Sequence, residues 1–292
     1  MYSIESMLTG ARNPELLGRE LNRLVYTRGK RYNSNPSGIS IFEMDWDNLV
    51  LLDACRFDYY LQESNFDENI DSIQSLGSAT YEFIPANFSE RQLHDVVLVT
   101  TNPQYIKHRD MIDIHNIIYV PDLDLQPSDI TDKDVVSPDA VTRIAKNTAR
   151  KYPNKRLLIH YLQPHRPYIG PTGLNQFDSD TSWRDVSDKL IEKAYRENLQ
   201  IVLESVRDLL PELTGKSIIS SDHGEMLGER YRYIPMKDYG HWDGIYDKRL
   251  VEVPWHVFNS KERKEINPES PEREVADEDV TERLELLGYA QS

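Results

Sequence analysis

The sequence predicts an α/β fold: a mostly parallel central sheet with helices on both faces. Two observations carry the prediction. Short apolar runs, each closed by polar or turn residues, recur along the chain, and amphipathic helical patterns lie between them. A run that is apolar throughout suits a parallel strand buried on both faces.

In chain order, residues 1–40 read as a helical lead-in. Leu16, Leu17, Leu21 and Leu24 fall at helical spacing and make a modest apolar stripe. The main domain is expected over residues 41–260. Its first strand is the run 48–52, closed by Asp53. A second run, 96–99, is followed by Thr-Thr-Asn-Pro, and residues 114–122 hold a third. The stretch "PDAVTRIAKNTARKY" (138–152) opens on a proline, which suits the first turn of a helix. The run 157–161 ends in a polar loop, and residues 183–213 follow as a long amphipathic helix. Segments 215–225 and 251–259 complete the strands. Residues 261–292 form a charged tail rich in Pro and Glu, expected to be exposed or mobile, with one short helix in "DVTERLELLGY".

Composition excludes several function classes. The 49 Asp and Glu outnumber the 34 Lys and Arg, for a net charge of −15. That balance argues against a binder of nucleic-acid phosphates and disfavours an anionic membrane as partner. It suits a soluble protein, including one from a salt-rich cytoplasm. The single cysteine, Cys55, permits no internal disulfide and no cysteine-based metal site. No apolar stretch reaches the roughly 18 residues of a transmembrane helix, and the first residues lack a secretory apolar core. A cytoplasmic location is the resulting expectation. No G-x-G-x-x-G follows the first strand and no phosphate-binding Walker loop occurs, which disfavours a nucleotide-binding fold.

Candidate chemistry gathers just past the apolar runs, where α/β sheets bind ligands. Asp53 reads either as a strand-end cap paired with Arg56 or as a metal ligand. In "KSIISSDHGEMLGER", Asp222 and His223 stand side by side where a strand ends. "SLGSATYEF" offers two hydroxyls among small neighbours, Ser78 and Thr80, each a helix cap or a nucleophile. "HYLQPHRPY" sets His165 in a loop stiffened by Pro164 and Pro167, and "DYGHWDGIYD" carries His241. His160, inside an apolar run, reads as structural. Taken together, Asp53, Asp222, His223 and a hydroxyl such as Thr80 make an oxygen and nitrogen donor set. Such a set suits Mn²⁺, Mg²⁺ or Zn²⁺.

"SDHGEMLGE" resembles the Ser-Asp-His-Gly-Glu signature of the alkaline phosphatase superfamily, in particular its sulfatase-like branch. "NLVLLDACRFD" is similar to that family's first strand and metal-binding Asp, "HYLQPHRPY" to its Pro-His-x-Pro-Tyr loop, and "GHWDGIYDKRLVEVPW" to its closing segment. The four come in the family's order. The resemblance implies a three-layer αβα sandwich of alkaline phosphatase-like type. It implies that Asp53, Asp222 and His223 bind metal, with Thr80 both ligand and nucleophile through a covalent ester. His165, His241 and Arg56 would complete the catalytic set, with Ser78 as the alternate hydroxyl. The Cys-x-Pro-x-Arg or Ser-x-Pro-x-Arg segment of the main sulfatases is missing, so Cys55 reads as a packing residue. Gln163 stands where two-metal members carry an acid, which favours one tightly held ion. The expected function is a metal-dependent hydrolase of phosphate or sulfate esters. Phosphodiester or phosphonate-ester cleavage is favoured, on a small-molecule or glycan ester. The alternatives are a soluble phospho-group transferase and a non-catalytic sulfatase-like binding protein.

Overall fold

The computed structural model describes residues 13–30, 32–66, 70–177 and 181–272. A seven-stranded sheet runs in the order β2-β9-β6-β1-β5-β3-β4. The strands are β1 (Asn48–Asp53), β2 (Ile70–Gln74), β3 (Gln92–Thr100), β4 (Asp113–Tyr119), β5 (Arg156–Pro164), β6 (Ser217–Ser220) and β9 (Glu252–Phe258). The edge pair β2–β9 and the pair β9–β6 are antiparallel; β1 pairs in parallel with β5 on one side and β6 on the other. A separate hairpin joins β7 (Met226–Arg230) to β8 (Lys237–Gly240).

The first strand shows why the sheet needs helices on both faces. Successive strand residues point to opposite sides. Val50 and Leu52 enter one apolar cluster with Val97, Ile159 and Tyr161, while Leu49 and Leu51 enter another with Leu98, Leu158 and Ile218. The first cluster is closed by α4 (Pro138–Lys151) and α5 (Asp188–Leu209), whose Ile191, Tyr195, Leu199, Val202 and Val206 recur at helical spacing and are buried. The second is closed by α3 (Thr80–Phe88) through Phe83, Ile84 and Phe88. The remaining longer helices are α1 (Pro14–Tyr26) and α2 (Phe57–Glu63). Leu158, fully buried in the central β5, is expected to cost about 2–5 kcal/mol when cut to Ala, read as a lower denaturant midpoint.

Strands 1, 3, 4, 5, 6 and 9 lie where the apolar runs place them. Three features depart from the sequence reading. Strand β2, "IDSIQ", is only half-buried at the sheet edge, so it lacks an apolar run and gave no signal. The β7–β8 hairpin carries few apolar residues for the same reason. The tail over 261–272 is exposed but held against the sheet. Arg263 pairs with Asp45 and Asp47, Lys264 donates to Asn48 Oδ1 at 2.7 Å, and the Glu269 and Glu272 amides donate to the His94 and His115 carbonyls. Charge-assisted bonds thus fasten a segment whose composition promised only solvation. The short helix expected at the C-terminus lies outside the described residues, as do residues 1–12 of the lead-in.

Candidate active site

The site forms at the carboxyl ends of β1, β5 and β6, with the turn after β3 beside them. β1 ends at Asp53, and Ala54 then turns in the left-handed region with φ 59°. That turn points the Ala54 amide at Asp222 Oδ1, 3.2 Å away, while its carbonyl accepts from the Tyr195 hydroxyl. A non-glycine residue adopts this conformation only when its surroundings hold it there.

The Asp-His pair past β6 is fixed in the same manner. Ser221 Oγ lies 2.6 Å from the Leu52 carbonyl and accepts from the Cys55 amide at 2.9 Å, tying the end of β6 to the end of β1. The glycine of "SDHGE" is a close approach: a Cβ on Gly224 would meet the Arg249 carbonyl oxygen at 2.0 Å. Its amide donates to the Leu250 carbonyl. The dipeptide is therefore no free turn. It is clamped on one side by β1 and on the other by the segment leading into β9.

Four expected residues converge. The Thr80 hydroxyl, at the first residue of α3, donates to Asp222 Oδ2 at 2.7 Å and lies 3.1 Å from His223 Nε2. His223 Nε2 lies 3.3 Å from Asp222 Oδ2 and 3.7 Å from Asp53 Oδ1. All four side chains are fully buried. His223 Nδ1 faces the Gly224 carbonyl at 2.8 Å. A carbonyl only accepts, so Nδ1 carries the proton and Nε2 presents its lone pair to the carboxylates. Burial pulls His223 down to about 4, so it is neutral near pH 7. Burial pushes the Asp222 carboxyl up, but His223, His160 and the hydrogen bonds from Thr80 and Ala54 outweigh it and hold the group below its usual range.

The donor set fits a divalent cation. Two fully buried carboxylates facing a neutral imidazole and a hydroxyl would be costly without a compensating positive charge. Oxygen and nitrogen donors of these types bind Mn²⁺, Mg²⁺ or Zn²⁺.

His160 belongs with this group, contrary to its structural reading. Its Nε2 lies 3.8 Å from both Asp53 Oδ2 and Asp222 Oδ2, while Nδ1 meets the Tyr105 hydroxyl at 3.0 Å. Asn102 was also missed; its Nδ2 donates to Asp53 Oδ2 at 2.6 Å. The Thr-Thr-Asn-Pro closing the second apolar run was the available signal. Replacing His160 by Ala is expected to weaken metal binding about 10–100-fold while the fold persists, measured by competition with a chelating dye.

A second cluster stands beside the first. One donor atom each of His165, Glu225 and His241 lies within 4.8 Å of the others. The ring of His241 is 4.2 Å from that of His223 and 5.3 Å from that of His165. His241 Nδ1 meets Glu225 Oε1 at 3.3 Å. The carboxylate beside these two histidines comes from the Ser-Asp-His-Gly-Glu segment. Gln163 is buried in β5 with no hydrogen-bond partner for its amide among the described residues. Glu225 with His165 and His241 could hold a cation, a grouping that the reading from Gln163 did not consider.

Two of the expected residues lie outside the Thr80 cluster. The Arg56 guanidinium is held by Asp58, Glu229 and the Glu225 carbonyl, and no member of the Thr80 cluster is among these partners. It braces the backbone at Glu225 and does not pair with Asp53. Ser78 Oγ lies 2.9 Å from both Glu82 Oε2 and the Trp242 carbonyl, which leaves Thr80 as the hydroxyl at the cluster. Cys55 is fully buried in the apolar core, and burial pushes its thiol well up.

No protein-family model matches the sequence, and no curated protein matches it. Solved structures match the fold. The C-terminal periplasmic domain of the phosphoethanolamine transferase EptC from Campylobacter jejuni aligns with a TM-score of 0.50 at 15% identity, over 73% of this chain and 78% of that one. The corresponding Escherichia coli domain, solved in complex with Zn, aligns at 0.48 and 14% identity, over 73% and 72% of the two chains. A Vibrio parahaemolyticus protein of the alkaline phosphatase superfamily aligns at 0.43 and 12% identity, over 87% and 71%. The chain shares the fold of the EptC domain. Within that fold, Asp53, Thr80, Asp222 and His223 occupy one end of the sheet in a single buried cluster.

Proposed function

We propose that this alkaline phosphatase-like chain is a metal-dependent enzyme that transfers a phosphoryl-type group through Thr80. The observation that carries the reading is the Thr80 hydroxyl at 2.7 Å from Asp222 Oδ2 and 3.1 Å from His223 Nε2, at the start of a helix. Asp53, Asp222, His223 and Thr80 would hold the ion, with His160 behind them. A bound divalent cation would lower the hydroxyl's pKa and offset charge on the substrate's oxygens.

The chain's own groups then divide the work. The Thr80 proton passes along its hydrogen bond to Asp222 Oδ2, and Oγ1 attacks the phosphorus. An Oγ1–P bond forms and the bond to the leaving oxygen breaks. We assign His241, steadied by Glu225, to that leaving oxygen. His165 suits the second half. Its Nδ1 faces the Arg166 carbonyl at 2.6 Å, so Nε2 carries the lone pair, and burial with the nearby His241 pulls its pKa well below the usual value. A neutral imidazole of this kind takes the proton of the acceptor, whose oxygen attacks phosphorus and releases Thr80. Water as acceptor makes a hydrolase; a substrate hydroxyl makes a transferase. The same geometry serves both, and small-molecule or glycan esters remain the proposed substrates.

A panel of nitrophenyl phosphate, phosphodiester, phosphonate and sulfate esters tests the reading, each with Mn²⁺, Mg²⁺, Zn²⁺ or chelator. Metal-dependent release from one ester class supports it. Adding alcohol acceptors separates the branches: transesterified product marks a transferase, free acid alone a hydrolase. Silence across the panel from folded, metal-loaded protein would sink the enzyme reading for these ester classes.

A further inference from the structure

Helix α1 is inside out. An amphipathic surface helix ordinarily buries its apolar stripe. Here the polar face packs inward. Asn22 exchanges two hydrogen bonds with the Ile234 backbone, at 3.0 and 3.1 Å. Arg19 forks onto Asp238 at 2.8 and 2.7 Å, with its guanidinium 3.6 Å from the Trp242 ring. Tyr26 donates to Asp247, and Gly18 lies so close to Met236 that a Cβ would meet the sulfur at 2.4 Å. Four apolar residues are left outside, while Leu24 is half-buried. Leu17, Leu21 and Val25, one above another at i, i+4 and i+8, are 47%, 41% and 42% exposed, with Leu16 beside them. Tyr233, 49% exposed, extends the surface by stacking edge-on against Tyr26.

Cations border this apolar line. Arg28 and Lys30 are exposed just past the end of α1, and exposed Arg232 lies over the Tyr233 ring. They do so on a chain whose net charge is −15. The whole-chain balance averaged this patch away. An exposed apolar helix face with tyrosine at its edge and basic residues at its border is the pattern of a helix lying in a lipid interface. No described helix is long and apolar enough to cross a membrane.

We propose that α1 seats the protein on an anionic lipid surface, with Leu17, Leu21 and Val25 in the boundary between headgroups and acyl chains. Arg19 links the helix to Asp238 and Trp242, and His241 lies between those two residues in the chain. Docking would therefore place the candidate site's loop at that surface. The seat stands independently of the chemistry proposed at Thr80.

Co-flotation with vesicles tests it on the full chain. Phosphatidylcholine vesicles containing phosphatidylglycerol are expected to carry the protein, and pure phosphatidylcholine vesicles to carry much less. L17Q/L21Q is expected to weaken flotation about tenfold or more, because it removes two interfacial leucines. R28Q/K30Q should lower both the binding and its sensitivity to salt. Neither pair touches the candidate site, so ester turnover and far-ultraviolet circular dichroism should match wild type. Equal flotation of wild type and L17Q/L21Q would overturn the proposal. So would indifference to lipid charge. Sedimentation showing a dimer that L17Q/L21Q dissolves would overturn it in favour of a second copy of this chain.

Discussion

Replacing Asp222 by Asn is expected to abolish metal binding and turnover together. The carboxylate is fully buried, and each oxygen is already used: Oδ1 accepts from the Ala54 and His223 amides, Oδ2 from Thr80. Asparagine keeps the shape and one acceptor oxygen but removes the charge that a cation needs. Losing about 4 kcal/mol of charge stabilisation would slow turnover about 10³-fold. Thermal unfolding gives a readout free of catalysis. Metal at 100 times its dissociation constant should stabilise the wild type by about 2.7 kcal/mol and leave Asp222→Asn unmoved. A metal-induced rise in Tm that survives the substitution would refute the donor assignment.

Thr80→Ala separates the nucleophile from the metal site. The substitution removes Oγ1 and leaves Asp53, Asp222 and His223 in place. The metal-induced stabilisation should largely persist, while turnover falls about 10³-fold or more. Thr80→Ser keeps a hydroxyl at the start of α3 and should retain activity within about tenfold. Mass spectrometry of wild-type protein quenched during turnover should find the substrate's phosphoryl group on Thr80, and Thr80→Ala should show no adduct. Undiminished turnover in Thr80→Ala would move the attack to water and end the covalent reading.

How much of this site was legible follows from distance along the chain. Asp53 closes an apolar run, and Asp222 and His223 follow one after two serines, so strand pattern and residue type pointed to them without a fold. Thr80 was legible as a hydroxyl among small residues, but Ser78 matched the description equally well. Their separation came from contacts about 160 residues away in sequence, where the Trp242 carbonyl engages Ser78, and from Asp222, which engages Thr80. The Asp53–Arg56 pair offered as one alternative fails for the opposite reason. The nearness of Arg56 to Asp53 in sequence suggested a pair, whereas the turn at Ala54 sends the arginine to Asp58 and Glu229.

His160 marks the boundary most clearly. Within its run it looks like one more core residue, because burial is what local pattern reports. Its neighbours across the sheet decide its role: β5 lies directly against β1, and the next strand over is β6, so the ring faces two carboxylates. Helix α1 gives the same lesson at the surface. Periodicity revealed an apolar stripe in Leu16, Leu17, Leu21 and Leu24, but periodicity has no sign. Only the bonds of Arg19, Asn22 and Tyr26 to the body of the protein turn Leu16, Leu17 and Leu21 outward and leave Leu24 half-buried. The sequence by itself determined the αβ alternation, the strand ends that carry acids and an imidazole, and the donor chemistry they offer, because those depend on neighbours in the chain. The tertiary structure alone decided which donors meet, which hydroxyl faces them and which helix face meets solvent. Those depend on strand order and on side-chain contacts between segments far apart in sequence.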